Sequence, residues 1–326
     1  MFVLDHTQAV LKLISLAQTP ISGEKIAAQL NITRAAVWKI IQVLQKKGYP
    51  IISHRRLGYE YRDDGFLNQY LIQAGLTPAL QTQLKFELHQ TIDSTNLRAK
   101  QLCVAQSVKS PLVILSDRQT AGYGRYGRNY SCPSRSGIYL SILLPNQATI
   151  LNPGLLTTAT ALAVSYTIEQ QLHLKPQIKW VNDLMLDQKK IVGILTEAVS
   201  DIESRSIGQV IVGIGINYLT EIDQLPESVQ QTAGSLRAAV RQNGITRNQF
   251  IAALLNQFFE LYQHYQTGDF LPAYRQRCFL LQQQVTITQG NHKFTGQAVD
   301  IDNQGRLVLA DGQHISSGEI TRIRLK

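Results

Sequence analysis

Two stretches of this chain concentrate side chains able to grip an anion. From Gln119 to Gly137 the sequence runs QTAGYGRYGRNYSCPSRSG, with four glycines, three arginines and no apolar periodicity. Glycine lets backbone approach a ligand closely, and the guanidinium forks of Arg125 and Arg128 suit phosphate or carboxylate through paired hydrogen bonds. Further along, Lys179-Trp180-Val181-Asn182-Asp183-Leu184 and Lys189-Lys190-Ile191-Val192-Gly193 set charged and amide groups at the mouth of a hairpin whose other residues are core-like. A solvated basic loop is the plainer alternative for the first stretch, and a buried Lys179–Asp183 pair serving only structure is the alternative for the second.

Two familiar nucleotide motifs do not apply. Gly122-x-Gly124-x-x-Gly127 has the glycine spacing of a dinucleotide fingerprint, but that motif needs a helix opening at the third glycine and an acidic residue about 20 positions on. Here Arg128-Asn129-Tyr130-Ser131-Cys132-Pro133 follows, a poor helix start, and Arg128 stands where a phosphate loop requires Lys-Ser/Thr. Apolar runs at 112–115 and 138–144 flank the segment and read as strands, so a mobile, cationic loop anchored in one sheet is expected, able to close over an anion.

With Ser94-Thr95-Asn96 upstream, these motifs resemble those of the biotin protein ligases. Because of the N-terminal segment the chain is similar to their bifunctional form, the biotin operon repressors. The resemblance implies an ATP-dependent ligase that forms biotinoyl-5'-AMP, with magnesium accompanying the triphosphate. It then transfers biotin to a lysine of a biotin carboxyl carrier domain. Operator DNA would be a second partner, with the adenylate as corepressor promoting a homodimer.

Carried over residue by residue, Ser94, Thr95, Asn96 and Gln119 would bind the ureido ring, with Tyr123, Gly124, Arg125 and Lys190 completing the biotin site. Arg128, Tyr130, Asn182 and Asn217 would hold the nucleotide. Arg125, Lys190, Lys179 and Asp183 would carry the chemistry, Asp183 near either the magnesium or the attacking amine. Plain N-capping is the alternative for 94–96. Tyr123 and Tyr126 replace arginines of the usual GRGRRGR loop, so this loop is less cationic, while Tyr130 keeps an aromatic ring where one is expected to cover the adenylate.

The elements that must position these residues follow from charge and periodicity. The chain has 326 residues, is 44% apolar and carries a net charge of +9. Residues 1–62 hold nine Lys/Arg against three acids, a balance of +6 that points to a polyanion partner for a small N-terminal unit. Apolar stripes at helical spacing, a cap at Ser22, a stop at Asn31 and a cap at Thr33 predict three helices, the third running through Lys47. Opposite its buried stripe of Val37, Ile40, Ile41 and Leu44 this third helix presents Ala35, Lys39, Gln42 and Lys46. With a hairpin whose tip holds Arg55 and Arg56, the unit reads as a winged helix-turn-helix. Its candidate DNA-binding residues are Ser22, Thr33, Arg34, Ala35, Lys39, Gln42, Lys46, Arg55 and Arg56, with Trp38 placed at the edge of the core. A packing module is the alternative, disfavoured by the cationic helix face.

The expected architecture is α+β and multidomain. A winged helix-turn-helix spans 1–64, a linker 65–84, a mixed-sheet ligase domain of the class II synthetase type 85–280, and short strands with glycine turns form a small barrel over 281–326, SH3-like by resemblance. Helices are expected at 66–74, 153–174, 247–266 and 270–278, and strands at 86–90, 178–180, 184–186, 191–199 and 209–217. Cys103, Cys132 and Cys278 are odd in number and widely spaced, which suggests free thiols and no structural metal. No apolar run of membrane-spanning length occurs, and a cytoplasmic protein is expected. A lipoate ligase has a different arginine- and glycine-rich signature, absent here. A monofunctional ligase with a vestigial winged helix and a non-catalytic biotin-sensing transcription factor remain as alternatives.

Overall fold

The protein is described by a computed structural model covering residues 6–105, 108–145, 152–200 and 207–324. It divides into two compact units, Met1–Leu76 with Thr246–Ala252, and Thr77–Ile245 with Ala253–Lys326.

In the first unit, α1 (His6–Leu16), α2 (Gly23–Leu30) and α3 (Arg34–Lys46) precede a hairpin of β1 (Ile51–His54) and β2 (Gly58–Tyr61) and a short α4 (Gln69–Ala74). Ser22 and Thr33 cap α2 and α3 by accepting from Lys25 N and Ala36 N, each at 3.1 Å, and Asn31 closes α2 in the left-handed conformation. Val10 and Ile14 pack with Ile26, Val37, Ile41, Leu44 and Ile51 in one core. Ile21 and Tyr59 exchange backbone hydrogen bonds at 2.9 Å, which ties the hairpin to the α1–α2 connection. That approach requires Gly58: a Cβ there would stand 2.2 Å from Ile21 O.

Trp38 departs from the expected core edge. It is 54% exposed, because Val37 and Ile41 take the buried positions of α3. The segment following the hairpin is held in place by side chains of residues 247 and 248. Asn248 Nδ2 donates to Asp63 Oδ1 at 2.8 Å and to Phe66 O at 2.9 Å, its Oδ1 accepts from Asn68 N at 3.0 Å, and Arg247 Nε donates to Gly65 O at 2.8 Å.

The second unit opens with α5 (Pro78–Gln83), a short helix begun by its proline within the segment expected as linker. Its seven-stranded sheet has β3 (Lys85–Ile92), β4 (Leu112–Gln119), β5 (Ile138–Pro145), β6 (Gln177–Lys179), β7 (Asp183–Leu186), β8 (Lys189–Ser200) and β9 (Ile207–Ile216) in the order β3-β4-β5-β9-β8-β7-β6. Only β3 and β4 are parallel, joined by the crossover helix α6 (Thr95–Ala105), so the sheet is mixed. Ala99 of α6 is buried against Ile114, Leu143 and Ile211 on one face. On the other face α7 (Pro153–Leu172) packs, its Thr157 hydroxyl bonded to that of Thr196 at 2.7 Å.

Next come α8 (Glu227–Gln230), α9 (Arg237–Asn243), α10 (Arg247–Tyr262) and α11 (Leu271–Arg277). The chain ends in an antiparallel sheet of β10 (Gln284–Gln289), β11 (His292–Ile301), β12 (Leu307–Leu309), β13 (His314–Ile315) and β14 (Glu319–Arg324), in the order β13-β12-β11-β10-β14. The two-residue β13 is too short to leave a sequence pattern. Among the described residues, no helix is long and apolar enough to cross a membrane.

Candidate functional site

A cleft of about 280 Å³ lies where the 119–137 loop meets the start of α6 and the ends of β7, β8 and β9. At one end sit Ser94, Thr95, Asn96 and Gln119. The start of α6 follows directly on β3, and Ser94 also lies 3.4 Å from Leu97 N, so it serves as cap and cleft residue together. Gln119, the last residue of β4, accepts through Oε1 from Thr95 N at 2.7 Å and from the Thr95 hydroxyl at 3.1 Å. The Ser141 hydroxyl is shared between Thr95 Oγ1 and Asn96 Oδ1. This end is neutral and dense in donors and acceptors.

Cations collect at the other end, where Arg125, Arg128, Lys179 and Lys190 all line the cleft. The loop that carries the arginines is bonded to itself: Gly124 N donates to Arg128 O and Tyr130 N to Gly122 O, each at 2.8 Å, around a single 3-10 turn at Arg125–Gly127. Arg125 Nη1 donates to Asn182 Oδ1 at 3.1 Å, and Asn182 Nδ2 to Asp183 Oδ1 at 3.1 Å. Lys190 Nζ pairs with Asp183 Oδ1 at 2.7 Å. Lys179 and Asp183 are cross-strand neighbours, but the ion pair of Asp183 is with Lys190, not Lys179, because a bulge between Leu184 and Met185 shifts the β7–β8 register. Tight left-handed geometry at Asp187 and Gln188 makes the hairpin turn that delivers Lys190.

Between the two ends, Tyr130 lies over a paired Gly193 and Gly215. A Cβ on Gly215 would stand 2.7 Å from the Tyr130 ring, so the glycines form a slot for it. The Tyr130 hydroxyl is 3.3 Å from Asn217 Oδ1, and Asn217 Nδ2 donates to Gly234 O at 2.9 Å. Burial, reinforced by the Cys132 thiol and other nearby acidic groups, raises the Tyr130 pKa well above its usual value, so the phenol stays neutral. Burial also pushes Cys132 up to about 12, against the hydrogen bond from Gln119, which leaves it an unreactive thiol.

Some contributors gave no sequence signal. Gly318, Glu319 and Ile320 of the C-terminal sheet line the cleft, and Glu319 forms a two-pronged ion pair with Arg128. Hydrogen bonding from Arg128 is the main cause that lowers the Glu319 pKa, helped by the charges of Lys179 and Arg125. A pairing across 191 residues has no local pattern to betray it. Leu225, Val229, Thr232 and Ala233 add a further, largely apolar wall from the segment after β9.

In the first unit, Arg34, Ala35, Lys39 and Lys46 are exposed on α3, Gln42 is partly so, and Arg55 and Arg56 are exposed at the hairpin tip. Ser22 and Thr33 act as helix caps there.

A cleft joining a neutral recognition end to a cationic end, in a chain that also carries a capped helix-turn-helix with a basic exposed helix, defines an anion-handling enzyme fused to a nucleic-acid-binding module. Residues 6–60 match the model described as an HTH domain, 88–217 the biotin/lipoate A/B protein ligase family, and 280–322 the biotin protein ligase C-terminal domain. The chain is similar to the bifunctional ligase/repressor BirA of Bacillus subtilis, 33% identical over 304 residues covering 90% of each chain. Its similarity to the protein of that name from Escherichia coli is 27% over 88% of this chain and 87% of that one. The fold is similar to that of a biotin protein ligase from Aquifex aeolicus in complex with biotin and ATP, with a TM-score of 0.59 and 25% identity over 74% of this chain and 99% of that one. The chain belongs to the biotin protein ligase family, in its bifunctional ligase/repressor form.

Proposed function

We propose that the cleft binds biotin with its ring at the Ser94–Asn96 and Gln119 end and its carboxylate toward Arg125 and Lys190, and binds ATP along Arg128, Tyr130, Asn182 and Asn217. A carboxylate oxygen of biotin attacks the α-phosphorus, and the bond to the β-phosphate breaks with release of pyrophosphate. The lysine amine of a carboxyl carrier domain then attacks the acyl carbon and displaces AMP. Two anions must approach before the first bond forms, and cations fixed in advance lower that barrier because they do not reorganise as charge develops. The observation that carries this reading is the convergence of the neutral recognition end and four cationic side chains on one cleft.

In the proposed roles, Arg125 and Lys190 neutralise the reacting carboxylate and α-phosphate, with Lys179 adding positive charge. Asp183, held by Asn182 and Lys190, seats the latter. Magnesium would accompany the triphosphate and help neutralise its charge; among the described residues no three metal-ligating side chains cluster. The exposed face of α3 and the hairpin tip are proposed to contact operator DNA, in a homodimer favoured by the adenylate.

Pyrophosphate release from ATP tests the enzymatic part. Biotin should support it and lipoate should not. No biotin-dependent release would leave a ligand-sensing DNA-binding protein, and equal release with lipoate would refute the assignment of the ring-binding end.

A further inference from the structure

The Glu197 carboxylate, on β8 and outside the cleft, is the meeting point of three side chains. Its Oε2 accepts from Asn96 Nδ2 at 2.9 Å and from the Tyr123 hydroxyl at 3.0 Å, and its Oε1 from Lys100 Nζ at 2.8 Å. Lys100 Nζ also stands 5.3 Å from the centroid of the Tyr123 ring. Asn96 and Tyr123 line the cleft, whereas Glu197 and Lys100 do not. We propose that Glu197 is a positioning residue for biotin recognition, which fixes the Asn96 amide in one orientation and anchors Tyr123 of the glycine-rich loop to α6. The inference rests on the biotin-ligase reading of the cleft.

The orientation argument is one of donors and acceptors. The two ends of a carboxamide have nearly the same shape, so partners decide which way it faces. An ionised Glu197 only accepts, so Nδ2 must turn toward it, and the Ser141 hydroxyl then meets Oδ1. Asn96 is left with one N–H and one oxygen lone pair in fixed places, and a cyclic urea, which presents both N–H and C=O, needs both. The amide fits its place only because residue 213 is glycine: a Cβ there would stand 2.3 Å from Asn96 Oδ1.

The loop argument concerns Tyr123, which occupies a position where the family pattern has arginine. A tyrosine there brings a hydroxyl that needs an acceptor, and Glu197 supplies it. Burial raises the Tyr123 pKa, opposed by the Lys100 hydrogen bond and joined by the charge of Glu197, so the hydroxyl keeps its proton and donates. Lys100 balances the carboxylate, whose side chain is only 22% exposed. One carboxylate thus connects the ring-binding end to the loop that covers it.

The test compares wild type, Glu197→Ala, Glu197→Gln and Tyr123→Phe by calorimetric biotin binding without ATP, steady-state pyrophosphate release, adenylate dissociation and thermal melting. Glu197→Ala should raise Kd and KM for biotin about tenfold or more, the scale of a lost hydrogen bond to a charged group, with KM for ATP changed less than about twofold. Glu197→Gln should fall between, since it keeps one acceptor oxygen but turns an N–H toward a donor. Tyr123→Phe should speed adenylate dissociation several-fold. A merely structural role would lower kcat through the active fraction with both KM values unchanged, and that result overturns the proposal. If Glu197→Ala gives no cooperative melt, the other two variants decide: wild-type biotin KM in Glu197→Gln together with wild-type dissociation in Tyr123→Phe overturns it. Failure of the wild type to bind biotin would instead defeat the ligase reading.

Discussion

Replacing Lys190 by alanine separates chemistry from structure at the cationic end. The Lys190 side chain is 37% exposed and its pair with Asp183 spans 2.7 Å. Solvent screens a pair so exposed, and its contribution to folding is about 1 kcal/mol or less. Its proposed contribution to the reaction is larger, because a fixed charge aimed at developing negative charge is typically worth about 3 kcal/mol, or roughly a hundredfold in rate. Lys190→Ala should therefore melt close to wild type and bind biotin with a modest loss, while single-turnover adenylation falls about a hundredfold. One confounding effect needs control, since the variant leaves Asp183 unpaired and able to repel the incoming anions. Asp183→Asn removes that charge. If Lys190 acts on the reacting groups, the double variant stays as slow as Lys190→Ala within a few-fold. Recovery of wild-type adenylation in the double variant would refute the catalytic role and leave Lys190 as a counter-ion to Asp183. Equal losses in biotin binding and in rate would refute it too.

Arg125→Ala should release the adenylate about tenfold faster or more in a chase experiment, because a guanidinium held at the cleft beside Asn182 can clasp a phosphate with paired hydrogen bonds; an unchanged lifetime would make Arg125 a surface charge. Operator affinity measured alone, with biotin, and with biotin plus ATP should rise only in the last condition, by a coupling of roughly 1–3 kcal/mol that DNA returns to adenylate binding. Lys39→Ala should reduce the slope of log affinity against log salt by about 0.9 if Lys39 meets one phosphate, with adenylation unchanged; identical affinity in all three conditions would refute the corepressor role. The Glu169–Arg277 pair predicts an acid limb: the hydrogen bond from Arg277 is the main cause holding the Glu169 pKa below its usual 4.5. That stabilisation is complete above about pH 4.5 and disappears as pH falls through the lower folded value. Glu169→Gln should flatten that limb and cost about 1 kcal/mol at neutral pH, as followed by urea unfolding across pH; an unaltered limb would refute it.

What the sequence determined by itself lies in local patterns. Caps at Ser22 and Thr33, the left-handed stop at Asn31 and the apolar stripe of α3 dictate their helices because each acts within a turn or two. The anion-gripping loop and the Lys179–Lys190 hairpin are legible for the same reason: glycine, arginine and lysine densities are local, and the hairpin spans only a dozen residues. Tertiary structure alone decided the rest. Trp38 sits between buried and exposed faces on a helical wheel, and only the packing of Val37 and Ile41 turned it outward. Asp183 has lysines available at 179 and 190, and the bulge in β7–β8 selected Lys190. Glu319 reached Arg128 from the C-terminal sheet, and Glu197 drew together Asn96, Lys100 and Tyr123 from two other segments. Such partners are chosen by which strand ends and loops the sheet order brings together. A carboxylate in a strand carries no mark in the sequence of the donors it will meet.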